Sequence, residues 1–241
     1  DTNNDSEIQA SELNIVRTLN ISDCGIADLT GLSYFVNLRK LDCSYNYLIS
    51  TIDATPLTNL IRLECQYNRL TSINIAGLAA LEYFNCSYNQ LPVLTFTGNT
   101  YLNILYCTNN LLTSLTITNA THLFWVYCSS NRISNLNFAG SYNLERLYCD
   151  GNLLNSLDLS AYTNLHQLDC SFNAINNLNV NGLVLMEDMK CHHNALSVLN
   201  LSGLTNLYFF DCAFNQLTTS GLLFSQNEHI AWLYCENNFL T

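Results

Sequence analysis

Ten cysteines recur along the chain at intervals of 21 to 23 residues, and each is followed three residues later by an asparagine. They are Cys43, Cys65, Cys86, Cys107, Cys128, Cys149, Cys170, Cys191, Cys212 and Cys235. Zinc sites use paired ligands about two to four residues apart, whereas no two cysteines here are closer than 19. Disulfides need close pairs that face each other, whereas neighbouring side chains in a parallel ladder point the same way, about 4.8 Å apart. We therefore predict free, buried thiols that act as small apolar side chains.

Histidines offer a second candidate chemistry. His192 directly follows Cys191, while His166 and Asp169 fall on the neighbouring repeat. Strand alternation points Cys191 inward and His192 outward, which separates the two side chains. A catalytic triad also needs a cleft that excludes water and a site that stabilises an oxyanion, and the repeat predicts neither. We therefore predict that the chain is not an enzyme.

An acidic segment of twelve residues precedes the repeats, which begin at Leu13. It resembles the calcium-binding EF-hand loop, except that Ser6 stands where that family has glycine. The resemblance implies calcium as a cofactor, because this spacing wraps oxygen ligands around one point and calcium takes about six to eight of them. The ligands it implies are Asp1, Asn3, Asp5, the carbonyl of Glu7 and Glu12, with Gln9 reaching the ion through water. The alternative is an acidic, frayed terminus.

One repeat runs from Leu60 to Ala80, and the next opens at Leu81. Its pattern, L-x-x-L-x-C-x-x-N-x-L, resembles the leucine-rich repeat family, in the short bacterial class of 21 residues, with cysteine in place of the third leucine. A fixed period of this length is typical of a solenoid. The predicted fold class is a leucine-rich repeat solenoid, mostly β, with a parallel β-sheet on the concave face, an extended or short-turn convex side and little or no α-helix.

Two parts of the chain follow from this pattern. Residues 1–12 are predicted to form the calcium loop and N-terminal cap. Residues 13–241 are predicted to form the solenoid, with about ten repeats after a first coil in which Cys24 takes the asparagine position. Two coils are longer than the rest, and we expect loops to bulge near residues 51–56 and 222–229.

Alternation along each strand decides which side chains face outward. Leu63 and Cys65 point inward, so Glu64 between them points outward. The asparagine follows the strand where the backbone turns. Its amide is expected to satisfy backbone groups of neighbouring coils, because it can both donate and accept hydrogen bonds.

The middle of the outward face is aromatic and uncharged. Between Tyr83 and Asn131 the chain has no Asp, Glu, Lys or Arg. Aromatic side chains with a polar tip bury much area at small entropic cost, and an apolar patch on a protein surface marks contact with another molecule. The predicted ligand-binding residues, called here the aromatic patch, are Tyr83, Ile104, Tyr106, Trp125, Tyr127, Arg146 and Tyr148. The alternative is that tyrosines suit strands and stack across them without any partner.

Composition limits the class of partner. The net charge is −11 with no block of basic residues, so nucleic acid would be repelled. Polar residues interrupt every apolar run, so no membrane insertion is predicted. We predict a bacterial recognition module, secreted or at the cell surface, that binds a protein ligand in adhesion or host-surface interaction. A glycan-binding module, with sugar rings stacked on Trp125 and the tyrosines, and a structural spacer in a larger multidomain protein are the alternatives.

The two ends of the chain suggest further expectations. The chain begins at Asp1 without a methionine and stops at Thr241 within a repeat, so we expect a processed precursor, a longer protein, or both. The last coil lacks a polar cap, and exposed core there would allow an end-to-end dimer.

Overall fold

Each coil of the chain contributes one short strand to a parallel sheet, within residues 9–241, which the computed structural model describes. Over this range the main sheet has eleven strands. They are β1 (Thr18–Asn20), β2 (Lys40–Asp42), β4 (Arg62–Glu64), β6 (Tyr83–Asn85), β7 (Ile104–Tyr106), β9 (Trp125–Tyr127), β11 (Arg146–Tyr148), β13 (Gln167–Asp169), β15 (Asp188–Lys190), β17 (Phe209–Asp211) and β19 (Trp232–Tyr234).

The pleat of these strands separates an inward from an outward column. In β7, Leu105 is buried while Ile104 and Tyr106 are half-buried. Leu105 pairs in register with Phe84 on one side and Val126 on the other, so buried residues stack on buried residues from coil to coil. Burying a side chain of this size contributes about 1.5–3 kcal/mol. The outward columns follow the register set by the cysteines, as predicted.

Among residues 9–241, eight coils also have a short strand on the opposite side, which keeps the return path short. In the described chain this side forms four two-stranded parallel sheets. They are β3 (Thr51–Asp53) with β5 (Ser72–Asn74), β8 (Ser114–Thr116) with β10 (Asn135–Asn137), β12 (Ser156–Asp158) with β14 (Asn177–Asn179), and β16 (Leu199–Asn200) with β18 (Leu222–Leu223). In the coil after β5, Pro92 stands where Thr71 of the preceding coil donates its N–H to Ser50. Proline has no N–H, so this coil lacks that hydrogen bond.

Helical structure is minor. Among residues 9–241 it comprises α1 (Ala10–Leu13) and one 3-10 turn (Leu32–Tyr34). No helix formed by the described residues is long and apolar enough to cross a membrane. The predicted fold, a mostly β solenoid with a parallel sheet and little helix, is confirmed.

The cysteine column lies in the core. All eleven cysteines carry free thiols; nine are buried, Cys235 is half-buried and Cys24 is exposed. Burial raises the pKa of the Cys43 thiol to about 12 and the pKa of Cys107 well above its ordinary value, because a thiolate in apolar surroundings is poorly solvated. The Sγ of Cys65 donates to the carbonyl of Asn85 in the next coil, at 3.3 Å. These side chains pack the core, as predicted.

The asparagine column ties adjacent coils together. The Nδ2 of Asn110 donates to the carbonyl oxygens of Cys107 in its own coil (3.2 Å) and Cys86 in the preceding coil (3.0 Å), while its Oδ1 accepts from the Leu91 N–H (3.0 Å). The two Nδ2 bonds recur from Asn68 to Asn238 and the Oδ1 bond from Asn89 to Asn238, whereas the Oδ1 of Asn68 is buried without a partner. Each amide therefore satisfies backbone groups in a turn that has no strand ladder of its own.

The two bulges lie elsewhere than predicted. Asn68 follows Asn46 by 22 residues, whereas Ile73 pairs with Ile52 at an offset of 21. The Arg69 N–H donates to the carbonyl of Ile49, which places the extra residue just after Asn46, at the exposed 47–48 pair. The predicted bulge near residues 51–56 is therefore wrong.

The second bulge shows the same displacement. Leu222 pairs with Leu199 at an offset of 23, whereas the Gln216 N–H still donates to Leu196 in the ordinary register. The two extra residues therefore fall in the turn at 218–221, and the prediction of residues 222–229 is wrong. Both insertions lie in the turn just before a return strand. The asparagine column fixes the register before this turn and the return strands fix it afterwards, so the turn is where extra residues are accommodated.

Candidate functional site

The main sheet brings the predicted aromatic patch together. Trp125 pairs in register with Ile104 and Arg146, and Tyr127 pairs with Tyr106 and Tyr148. All seven patch residues are half-buried. Strand pairing and alternation alone put them on one surface, in two columns separated by the inward residues.

The tyrosines of one column form a stacked ladder. The ring centroids of Tyr106 and Tyr127 lie 4.5 Å apart at an interplanar angle of 9°, and those of Tyr127 and Tyr148 lie 4.9 Å apart at 15°. Tyr83 continues the contact with Tyr106 at 5.7 Å in a tilted arrangement. Both faces of the Tyr127 ring are therefore covered by its neighbours, and the ladder presents ring edges and hydroxyl groups to solvent.

Cations cover the faces of the other column. The guanidinium carbon of Arg146 lies 4.6 Å from the centre of the Trp125 ring, and that of Arg62 lies 3.6 Å from the centre of Tyr83. The indole N–H of Trp125 points at the carboxylate of Glu145, 3.4 Å away. Such cation–π contacts fix ring orientation as well as adding attraction.

Burial changes the acidity of the tyrosines. It raises the pKa of Tyr106 to about 12, with the neighbouring Tyr127 adding to the effect, and it raises the pKa values of Tyr83 and Tyr148 as well. These hydroxyls therefore stay neutral at physiological pH and serve as hydrogen-bond donors and acceptors. Tyr148 already donates to the Oε1 of Gln167 at 3.1 Å.

Comparisons with known proteins place this geometry in a family. The Leucine Rich repeats (2 copies) family matches residues 16–57. The functional domain of InlJ from Listeria monocytogenes, a protein that includes a cysteine ladder, has a TM-score of 0.86 and 30% sequence identity, covering 95% of this chain and 55% of that one. The chain is a leucine-rich repeat protein.

Other leucine-rich repeat structures share the fold at lower sequence identity. YopM, a leucine-rich effector protein from Yersinia pestis, has a TM-score of 0.73 and 20% identity, covering 92% of this chain and 61% of that one. The internalin InlF from Listeria monocytogenes has a TM-score of 0.55 and 19% identity, covering 97% and 84%. The chain spans about half the length of the InlJ chain. No curated protein matches the sequence.

A second set of aromatic residues, which the sequence analysis missed, lies at the turn after each repeat strand. Tyr45, Tyr67 and Tyr88 stack at 4.6 and 4.3 Å, and their backbones have φ between 56° and 58°. Three coils at the other end place Phe172, His193 and Phe214 in the same way, at 4.3 and 4.2 Å.

The signal for these stacks is present in the repeat. The residue before the recurring asparagine is aromatic from Tyr45 to Tyr88 and again from Phe172 to Phe214. It is Asn109, Ser130 or Gly151 in the three coils that carry the tyrosine ladder, and Asn237 in the last coil. The aromatic ladder therefore moves from the turn to the strand in the middle of the leucine-rich repeat stack. In these three coils the turn positions beside the aromatic patch carry no ring, because they are Asn109, Ser130 and Gly151.

The histidines and acids considered for catalysis have separate partners. The Nδ1 of His166 lies 3.6 Å from the Oε1 of Glu187, and the Nδ1 of His192 lies 2.9 Å from the Nδ1 of His193. Asp169 accepts a hydrogen bond from the N–H of Ser171. None of these contacts joins two of His166, Asp169 and His192.

Four of the predicted calcium ligands, Asp1, Asn3, Asp5 and Glu7, lie outside the described residues. Glu12 is described: it belongs to α1 and is buried, and its Oε2 accepts a hydrogen bond from the Gln9 N–H at 2.9 Å. Among residues 9–241, no three His, Cys, Asp or Glu side chains are arranged to hold a metal ion.

Proposed function

We propose that this leucine-rich repeat protein is a non-enzymatic recognition module that binds a protein ligand through the aromatic patch, in a bacterial protein that is secreted or displayed at the cell surface. The observation that carries the proposal is a stretch of sheet surface whose rings are half-buried and held in place by one another, with Arg146 as the one charged residue among the seven. Half-buried aromatic residues at the centre of a surface are the side chains that supply most of the energy in protein interfaces.

The surroundings of the patch suit a protein partner. Charged side chains lie at its two borders. At one border the Nε of Arg62 lies 2.6 Å from the Oε1 of Glu64, and at the other Glu145 is next to Arg146. A centre without charge and a charged rim is the usual anatomy of a protein interface. The likeness to InlJ supports the bacterial assignment.

Ring geometry favours a protein over a glycan. Sugar recognition by aromatic residues needs a free ring face, but both faces of Tyr127 are covered, and Arg146 and Arg62 lie over Trp125 and Tyr83. The patch instead offers edges and neutral hydroxyls, which pack against apolar side chains and hydrogen-bond to peptide groups. Neutral tyrosine hydroxyls do not supply a general base, which supports the non-enzymatic assignment.

A paired capture experiment tests this function. The chain, its Tyr127→Ala variant and its Tyr67→Ala variant are immobilised and exposed to bacterial and host-cell surface extracts, and in parallel to a glycan array. Tyr67 is the matched control, because it is also the central ring of a three-tyrosine stack but lies at the turn. We expect proteins that bind the original chain and the Tyr67→Ala variant but not the Tyr127→Ala variant. Array binding that depends on Tyr127 would instead assign a glycan ligand.

We also propose that residues 1–12 bind calcium and cap the first coil. Support comes from the order of oxygen-bearing side chains and from Glu12, the last residue of the segment, which is buried. Calcium would hold the segment in a turn there, through Asp1, Asn3, Asp5, Glu7 and Glu12.

A further inference from the structure

An open cavity lies on the outward face beyond the aromatic patch, between β13 and β19. Its volume is about 640 Å³, and its lining includes Gln167, Glu187, Asp188, Phe209 and Trp232. Gln167 joins it to the aromatic patch, because its Oε1 accepts the hydrogen bond from the Tyr148 hydroxyl. A ligand that covers the patch can therefore extend into this cavity without a break.

The acidic wall of the cavity contains an unpaired oxygen. Asp188 lies between Gln167 and Phe209 in register, and its Oδ1 is shielded from solvent with no hydrogen-bond partner. Burial raises the pKa of Asp188, and the nearby Lys190 opposes that rise only in part. A buried carboxylate oxygen without a partner is costly, so such groups call for an explanation. Glu187 adds a second, exposed carboxylate to the same wall.

The aromatic wall accepts cations. Phe209 pairs in register with Trp232, and both rings line the cavity. The ammonium nitrogen of Lys190 already lies 5.6 Å from the centre of the Phe209 ring. Trp232 is 52% exposed, so its ring remains open to a cation from a partner.

We propose that this cavity binds a lysine or arginine side chain of the protein ligand. The two carboxylates neutralise its charge, the rings of Phe209 and Trp232 pack on its alkyl stem and cationic head, and the Asp188 Oδ1 gains its missing hydrogen-bond donor. The net charge of −11 on the whole chain favours a basic partner. This inference rests on the proposed protein-binding function, since it names the chemistry that the ligand presents to one end of the site.

A peptide probe tests the cavity without the ligand. The chain has two tryptophans, so the Trp125→Phe variant leaves Trp232 as the reporter. The probe is acetyl-Gly-Lys-Gly-amide, compared with the same peptide carrying norleucine, which keeps the alkyl chain and lacks the charge. We expect the lysine peptide to change Trp232 fluorescence saturably in the millimolar range and the norleucine peptide to bind at least tenfold more weakly. Equal binding of the two peptides, or no saturable change, overturns the proposal.

Matched variants locate the charge that matters. In the Trp125→Phe background, Asp188→Asn should weaken lysine-peptide binding at least tenfold. Asp169→Asn is the control and should change the affinity for the lysine peptide by no more than about twofold. Asp169 lies on the same face but outside the cavity lining, where it accepts a hydrogen bond from Ser171. Thermal unfolding confirms that each variant is folded. An unchanged affinity in Asp188→Asn contradicts the proposal. Since the probe touches only the cavity, its failure is separable from failure of the aromatic patch to bind protein.

Discussion

The two faces of the main sheet differ in how much they vary from coil to coil. Inward positions repeat almost without change: in three successive coils they are Leu105 with Cys107, Val126 with Cys128, and Leu147 with Cys149, all buried. Outward positions in the same sheet carry acids, bases, amides and rings. The inward side chains are enclosed by coils on both sides and by the return strands, so few residue types fit. The outward ones meet that constraint on one side only, which leaves them free to define a ligand.

Breaking the asparagine column should have the largest effect. In Asn110→Ala the buried N–H of Leu91 loses its acceptor, while the carbonyls of Cys86 and Cys107 each lose one of two amide donors and keep Asn89 and Asn131. An unsatisfied buried group costs about 1–3 kcal/mol and each lost hydrogen bond about 1 kcal/mol, so the loss should be about 3 kcal/mol in urea unfolding.

Asn59→Ala is the control for that loss. Asn59 is exposed and donates one hydrogen bond, to the carbonyl of Val36. We expect it to cost about 1 kcal/mol at most. Equal losses in the two variants would mean that the buried column does not hold the coils together.

Changing a thiol should have the next largest effect. Cys107→Ser keeps the size of the side chain but places a hydroxyl among apolar neighbours, at a cost of about 2 kcal/mol. Cys24→Ser makes the same chemical change at an exposed position and should be close to neutral. A neutral Cys107→Ser, measured by the same unfolding curves, would show that the cysteine column tolerates polar groups.

Alkaline pH probes both faces at once. Burial raises the pKa of Cys43 from 9.0 to about 12 and that of Tyr106 from 10.0 to about 12. The folded state therefore favours the neutral forms, so this stabilisation is complete below pH 9.0 and is lost as pH rises to about 12. Urea midpoints should fall over that window while tyrosinate absorbance rises. A flat midpoint across it would contradict the burial of both groups.

The inward face could be predicted from the sequence in more detail than the outward face. The positions of Cys107 and its equivalents determine which side chains of each strand are buried, because side chains alternate along a strand and equivalent positions stack from coil to coil. It also places Trp125 and Tyr127 side by side on the outer surface. The family and fold follow from the same spacing.

Ring orientation and turn geometry could not be read this way. The pairing of Trp125 with Arg146, and the covering of both Tyr127 faces, depend on side-chain rotamers that the repeat does not specify. The left-handed backbone at Tyr67 follows from hydrogen bonds between coils. The cavity at Asp188 likewise depends on which residues of neighbouring coils leave space between them.

Calcium should have the smallest effect on stability, at the N-terminal end of the stack. We expect calorimetry to detect calcium binding. At a calcium concentration tenfold above the dissociation constant, this binding should raise the free energy of unfolding by about 1.4 kcal/mol. Glu12→Gln should weaken this binding, because calcium prefers a charged carboxylate at the last position of such a loop. Glu228→Gln, far along the chain, is the control. No calcium uptake by the full chain, or equal uptake by the Glu12→Gln variant, would remove calcium from the account.

The most direct test of the central claim is the affinity of a captured protein ligand for the Tyr127→Ala and Tyr67→Ala variants, measured by isothermal titration calorimetry against the unsubstituted chain. Both substitutions remove the middle ring of a three-tyrosine stack, one in the aromatic patch and one at the turn. If the aromatic patch is the binding site, Tyr127→Ala loses about 2 kcal/mol, roughly thirtyfold in affinity, while Tyr67→Ala stays within about threefold. Unchanged affinity in Tyr127→Ala, or the same loss in both variants, would contradict it.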